Sequence, residues 1–312
     1  MRLLRLGHGK GHLDVKFTIC IPTLNARETW SSFAAALKAQ SASPEEIIVI
    51  DSESDDGTAE LALRDGFRVE RIARRDFRHG ATRQLAVDMA AGSEVLIYLT
   101  QDALLADCDA ISCLLRAFEN PEVGAAYGRQ LPRKEAGPIE THARLFNYSP
   151  VSELHSISSI PTLGFKTIFF SNSFGAYRRA ALQAVGGFPL DVNFGEDTVV
   201  TGRLVLEGWK IAYVAEAEVY HSHDYTWWQE FERYRDIGEL HEEHAWMLRE
   251  FGGTSGEGLR FVQSKVRFLA HSAPHLIPSA LFRDACKYLG YKLGSRRKSG
   301  PGEPHQSPDS RA

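Results

Sequence analysis

Asp102, in the segment Thr100-Gln101-Asp102-Ala103, is a lone carboxylate placed where the apolar run Val95-Leu96-Ile97-Tyr98-Leu99 ends. The run reads as a short buried strand, and an acid where such a strand leaves the core suits a divalent metal or a sugar hydroxyl. A metal held there would offset charge building on a leaving diphosphate. Asp51 likewise follows an apolar run, Glu46-Ile47-Ile48-Val49-Ile50, and opens a turn closed by Gly57-Thr58. Its carboxylate could accept a hydrogen bond from the N3–H of a uracil or thymine ring, and the amides at the following helix start suit anions. In His79-Gly80-Ala81-Thr82-Arg83, glycine permits close backbone approach and Arg83 offers a diphosphate a charge-assisted donor.

Glu196 and Asp197 follow Asn193-Phe194-Gly195 at the start of another helical pattern. One carboxylate there is chemically adequate as a general base that takes a proton from an acceptor hydroxyl. His221 and His223 alternate at the end of an apolar strand, so both imidazoles would face one side and could join Asp102 on a metal. Each segment also has a plainer use. Asp, Ser and Gly build turns and caps, and acids in a first helical turn favour the helix dipole.

Alternating elements must position these residues. Residues 15–21, 46–50, 67–72, 95–100 and 123–127 read as strands, and residues 26–40, 81–91 and 108–118 as helices, with another helix beginning near Thr58. The alternation predicts an α/β chain with a mostly parallel sheet covered on both faces. Ligands of such sheets bind beyond the carboxyl ends of the strands, where Thr23, Asn25, Asp51 and Asp102 lie. Prolines and glycines weaken the pattern over residues 129–166 and predict a long loop or mobile insertion. Beyond it the spacing predicts strands at 211–214 and 219–221, a single long helix over 227–251, and helices over 258–271 and 279–293.

At 43% hydrophobic and 24% charged, the 312-residue chain can bury a sizeable core. A formal net charge of -4 makes no general case for nucleic acid. The four cysteines lack metal-type spacing and read as reduced packing thiols in a cytoplasmic protein. Residues 1–16 lack a signal-peptide core, and no apolar run approaches the ~20 residues of a membrane-spanning helix. Residues 260–298 carry nine basic residues against the single acid Asp284. Basic amphipathic helices are therefore expected over 258–298, able to lie peripherally on the inner face of the plasma membrane.

Ile21-Pro22-Thr23-Leu24-Asn25, the Asp51–Thr58 turn, His79-Gly80 with Arg83, Leu99-Thr100-Gln101-Asp102-Ala103 and Gly195-Glu196-Asp197 occur in that order. The set resembles glycosyltransferase family 2, inverting enzymes of the GT-A fold, over about residues 16–225. Thr100-Gln101-Asp102-Ala103, His221-Ser222-His223-Asp224-Tyr225, Arg233-Tyr234-Arg235-Asp236-Ile237-Gly238 and Lys287-Tyr288-Leu289-Gly290-Tyr291-Lys292-Leu293-Gly294 are similar to the bacterial rhamnosyltransferase branch.

This resemblance implies a nucleotide-sugar site formed by Pro22, Thr23, Asn25, Asp51, Ser54, Arg83, Gln101 and Asp102. Thr23 and Asp51 would hold the base, Arg83 would support the nucleotide, and Gln101 would sit near the ribose. Asp102 would bind Mg2+ or Mn2+, with His221 as the additional ligand and His223 as the alternative. Asp197 would be the general base and Glu196 its neighbour at the acceptor. Many relatives carry two or three acids where this chain has Thr100-Gln101-Asp102, which implies a weaker metal site completed by the diphosphate.

The activity implied is inverting transfer of L-rhamnose from dTDP-L-rhamnose, or of a hexose from a UDP-sugar, to a saccharide or lipid-linked oligosaccharide in cell-surface polysaccharide synthesis. The layout implied is an N-terminal tail 1–14 and a GT-A domain 15–257, divided into a nucleotide-sugar half 15–128 and an acceptor half 129–257. A helical extension 258–298 and a disordered tail 299–312 follow. Two other classes fit less well. A nucleotidyltransferase needs a glycine-rich basic loop that residues 22–27 do not supply, and a non-catalytic nucleotide-sugar-binding protein needs no acid at Asp197.

Overall fold

The computed structural model describes residues 15–253 and 255–296; the tails expected at 1–14 and 299–312 lie outside them. Among the described residues the strands are β1 Phe17–Thr23, β2 Glu46–Asp51, β3 Arg68–Arg71, β4 Val95–Leu99, β5 Leu104–Leu105, β6 Val123–Leu131, β7 Glu153–His155, β8 Phe174–Arg178 and β9 Lys210–Tyr220. They form one sheet ordered β3-β2-β1-β4-β8-β6-β9-β5, with β7 paired to β9. The strands from β3 to β4 are parallel, as expected. Beyond β4 the sheet is mixed, because β8 runs antiparallel to both β4 and β6. β8 returns antiparallel after a long excursion from β6, residues 132–173, instead of a single right-handed crossover.

The first helices are α1 Arg27–Lys38, α2 Thr58–Arg64, α3 His79–Met89 and α4 Ala110–Leu115. Next come α5 Pro138–Asn147, α6 Ile160–Leu163, α7 Arg179–Ala184 and α8 Glu196–Leu206. The chain continues through α9 Trp227–Glu243, α10 Ala245–Phe251, α11 Ser255–Ser272 and α12 Ile277–Gly294.

Alternation along the strands divides their side chains between two cores. Ile19, Ile21, Ile97 and Leu99 pack with Trp30 and Leu37 of α1 and Leu114 of α4. Cys20, Leu96 and Tyr98 pack on the other face with Val87 of α3 and Val199 and Leu204 of α8. Each large apolar side chain so buried contributes roughly 1.5–3 kcal/mol relative to exposure. The strand ends that carry the polar segments are therefore held firmly from behind.

Residues 129–166 are not the loop or mobile insertion expected from their prolines. β6 continues to Leu131, α5 begins at Pro138, and β7 adds a short antiparallel strand to β9. Proline in a first helical turn sacrifices no intrahelical bond, so Pro138 and Pro161 start helices instead of breaking them. The strands expected at 211–214 and 219–221 are one strand, β9, whose partner on β6 shifts from Val214 at Gly128 to Glu218 at Arg129. The helix expected over 227–251 is two helices, because His244 leaves the helical region (φ -112°, ψ 48°).

α12 packs closely on α9, and α11 packs on α5 and α12. A Cβ on Gly290 would meet Phe231 O at 2.3 Å, and one on Gly294 would meet Arg235 O at 2.0 Å. Only glycine permits that backbone approach. Several of the basic residues counted over 260–298 are used internally. Lys265 is fully buried against Asp284 at 2.5 Å, and Lys287 meets Glu230 at 3.0 Å. Among the described residues, no helix is long and apolar enough to cross a membrane.

Candidate active site

The ends of β1, β4 and β9 and the start of α8 open into one cavity of about 1940 Å³. That exceeds the ~300–1,000 Å³ of a pocket for a single small ligand and leaves room for two substrates. Pro22, Thr23, Asn25, Arg83, Gln101, Asp102, Glu196, Asp197, His221 and His223 all line it.

At the β1 end the polar residues brace one another. Asp51 is buried behind the cavity wall, where it accepts hydrogen bonds from Thr23 Oγ1 at 3.1 Å, Ser54 Oγ at 2.5 Å and the Ser54 amide at 3.0 Å. The Asn25 amide donates to Ser54 Oγ at 2.9 Å, and Asn25 Oδ1 accepts from the Asp55 amide at 3.1 Å. Asn25 adopts φ 49°, a left-handed conformation that asparagine tolerates better than most residues. Gln101 clasps the same loop by accepting from the Leu24 amide at 2.8 Å and donating to the Leu24 carbonyl at 2.9 Å. Asp51, Ser54 and Gln101 thus shape a wall in which Thr23 and Ser52, both buried, line the cavity.

Asp102 and both histidines come together. Asp102 Oδ2 lies 3.2 Å from His221 Nε2 and 3.3 Å from His223 Nε2. One ligand atom from each of the three lies within 4.8 Å of the others, as a shared cation would require. Burial alone would raise the Asp102 carboxyl, but the charge and hydrogen bond of His221 and the charge of His223 hold it well below the usual carboxylate range. Two imidazole nitrogens and one carboxylate oxygen fit a first-row divalent ion better than Mg2+, which favours oxygen throughout.

His221 is held from behind. The register of β6 on β9 sets Gln130 opposite Val219, so Gln130 and His221 share a face of the sheet. Gln130 Oε1 lies 3.0 Å from His221 Nδ1 and also accepts from Arg144 Nη1 at 2.8 Å, while Gln130 Nε2 donates to Ser171 Oγ at 2.8 Å. Arginine can only donate, so the oxygen faces both partners and the proton sits on Nδ1 of His221. Nε2 is thereby directed at Asp102 and at any cation there.

At the start of α8, the two adjacent acids differ in environment. Gly195 caps the helix at φ 77°, and a Cβ there would meet Leu240 Cδ2 of α9 at 2.4 Å, so both the turn and its neighbour require glycine. Glu196 turns inward to Arg83 of α3 at 2.9 Å and accepts from Asn172 Nδ2 at 2.8 Å. Burial would raise Glu196, but Arg83, His79 and Asn172 outweigh it and hold the carboxyl low. Asp197 lines the cavity and accepts from the amides of Thr198 at 2.7 Å and Asn172 at 3.3 Å and from Thr198 Oγ1 at 3.3 Å. Burial and the neighbouring Glu196 charge raise its carboxyl to about 7, against the pull of Arg83. A carboxylate poised there can exchange a proton near neutrality.

Arg83, expected to support the nucleotide, therefore has its guanidinium committed to Glu196. Arg78, just before α3, lines the cavity and has no hydrogen bond or ion pair from its side chain among the described residues. Ser52 Oγ is buried at the cavity wall without a hydrogen-bond partner among the described residues. Sequence reasoning missed Arg78, Ser52 and Gln130. Adjacency to Asp51 and to the helix start marked the first two, whereas only the strand register reveals Gln130.

Residues 18–186 match the glycosyl transferase family 2. The chain is 46% identical over 288 residues to the O-antigen chain rhamnosyltransferase RfbN of Salmonella typhimurium, covering 92% of each chain. It is 43% identical over 286 residues to the O-antigen chain rhamnosyltransferase WbaN of Salmonella anatum, covering 91% of each. Its fold resembles the mannosyltransferase PcManGT from Pyrobaculum calidifontis, solved with GDP-Man and Mn2+, at a TM-score of 0.61 and 17% identity over 92% of this chain and 90% of that one. It also resembles S. aureus TarS 1-349, solved with UDP-GlcNAc, at a TM-score of 0.53 and 15% identity over 90% of each chain.

Proposed function

The chain belongs to glycosyl transferase family 2, with the GT-A fold, and on that premise we propose that it transfers L-rhamnose from dTDP-L-rhamnose to a sugar hydroxyl with inversion. The observation that carries the mechanism is the buried carboxylate of Asp197, raised by its surroundings, lining the same cavity as the Asp102, His221 and His223 cluster. The rhamnosyltransferase names of two relatives matched over nine-tenths of their length support the donor.

In this reading residues 15–128 bind the donor and residues 129–257 bind the acceptor and carry the base. Thr23 and Ser52 face the pyrimidine, and Asp51 and Ser54 fix their wall. Arg78 meets the diphosphate. Asp102, His221 and His223 would hold Mn2+ or Mg2+, which supplies Lewis-acid neutralisation of the diphosphate when bound. Asp197 Oδ takes the proton of the acceptor hydroxyl as its oxygen attacks the anomeric carbon from the face opposite the leaving group. Arg83 keeps Glu196 ionised and turned away, so that proton passes to Asp197.

The acceptor is a saccharide or lipid-linked oligosaccharide of a cell-surface polysaccharide, met in the cytoplasm at the inner face of the membrane. Peripheral contact through residues 258–298 belongs to the same reading. Hydrolysis of dTDP-L-rhamnose and of a panel of UDP-sugars, with and without Mn2+, tests it. Metal-dependent release of dTDP is expected. Consumption of a UDP-hexose alone would overturn the rhamnose donor, and turnover of none would overturn the enzymatic reading.

A further inference from the structure

α12 divides its circumference cleanly. At about 100° per residue, Ala280, Cys286, Gly290 and Gly294 fall on one side, and all four are buried. The opposite side carries Leu281, Phe282, Tyr288, Leu289 and Leu293, each between 45% and 61% exposed. Trp227 and Trp228 at the start of α9 are about half exposed and continue this surface, with the Trp227 ring 6.0 Å from that of Phe282. Large apolar side chains scattered singly need no explanation, whereas a shared face of this kind marks an interaction surface.

Charge is sorted in the same way. Lys287 and Arg283 turn toward Glu230, and Asp284, the sole acid of α12, is bound to Lys265. Lys292 and Arg296 remain on the outer side, and Arg296 opens the sequence run Arg296-Arg297-Lys298. The outer face of α12 therefore combines aliphatic and aromatic side chains with cations and no acid. Tyr288 and Lys292 are also on the rim of the cavity that holds Asp197.

We propose that this face of α12, edged by Trp227 and Trp228, seats on an anionic lipid surface and holds the cavity mouth against the headgroups. The proposal rests on the lipid-linked acceptor reading and narrows the contact from residues 258–298 to one helix face and the start of α9. Aliphatic side chains enter the acyl boundary, Trp and Tyr lie at headgroup level, and Lys292 and Arg296 meet anionic headgroups. A second copy of the chain fits worse. Pairing the face with itself would bury Lys292 and Arg296 with no acid to meet them.

The test is flotation of the full chain with vesicles of phosphatidylcholine, with and without phosphatidylglycerol, beside light scattering of the free protein. The chain should float with the anionic vesicles as a monomer in solution. Phe282→Asp with Leu289→Asp should reduce the bound fraction at least tenfold and leave dTDP-L-rhamnose hydrolysis unchanged, because both side chains are exposed and outside the cavity. Arg296→Glu should remove the preference for phosphatidylglycerol. Failure to float, flotation indifferent to these substitutions, or a solution dimer that the double substitution dissociates would each overturn the proposal. Hydrolysis of the soluble donor reports separately on the catalytic reading.

Discussion

The guanidinium of Arg83 lies 2.9 Å from the carboxylate of Glu196, and both side chains are almost wholly buried. This pair ties α3 to α8 and gives two adjacent acids opposite properties. Glu196 is compensated and stays ionised, whereas Asp197 is raised by its burial and then by the repulsion of Glu196.

Arg83→Met should leave Glu196 buried and uncompensated, which costs about 3–5 kcal/mol. Urea denaturation measures the loss. Adding Glu196→Gln should restore much of it, since the unpaired charge is then gone. Equal stability of the wild type and Arg83→Met would refute a structural role for the pair.

Asp197→Asn should lower transfer by about 10²–10⁴-fold and leave the Kd for dTDP-L-rhamnose close to that of the wild type. Steady-state kinetics and calorimetry separate the two quantities. Wild-type turnover in the variant would eliminate Asp197 as the base.

For the wild type, kcat/KM should rise with pH through about 7 and then level, as Asp197 loses its proton. Stability moves the other way. The folded carboxyl keeps a proton that the unfolded one, with a reference value of 3.8, has already released, so this residue's contribution falls as pH rises from there toward 7. Asp197→Asn should therefore raise Tm more at about pH 8 than at about pH 4.

Gln130→Leu should weaken Mn2+ binding by about 10–100-fold through loss of the His221 orientation, and His221→Ala should weaken it further. Titration of Mn2+ by electron paramagnetic resonance, in the presence of dTDP, reads this without turnover. Unchanged Mn2+ affinity in both variants would remove the cluster from metal binding.

Arg78→Ala should raise the Kd for dTDP by about 10–100-fold, the scale of a hydrogen bond to a charged group. The loss should shrink as salt increases. An unaltered Kd would return the diphosphate to another cation of the cavity.

Much of this cavity edge was legible because strand ends are written locally. Apolar runs ending at Thr23, Asp51 and Leu99 place their polar successors along one edge of a parallel sheet, whatever the later chain does. The direction taken by Arg83 was not, since a first-turn arginine can face the cavity or a buried acid, and only packing of α3 against α8 decides. The Arg129–Leu131 stretch hid Gln130 because its role comes from a neighbour 91 residues away. α5 and α6 were hidden by prolines that start helices as readily as they break them. The basic count over 260–298 did not show which cations are paired internally, because partners such as Glu230 and Glu257 lie outside that window.

The glycines that let α12 sink onto α9 have a consequence for any shortened form of this protein. Leu240 of α9 presses on Gly195, the cap of the helix that begins with Glu196 and Asp197. α12 in turn rests on the α9 backbone at Phe231 and Arg235. α12 is therefore a buttress for the helix start that carries Glu196 and Asp197, two contacts removed. Truncation before Ile277 would strip that support and confuse loss of localisation with loss of chemistry, so a fusion partner or stop codon belongs after Arg296.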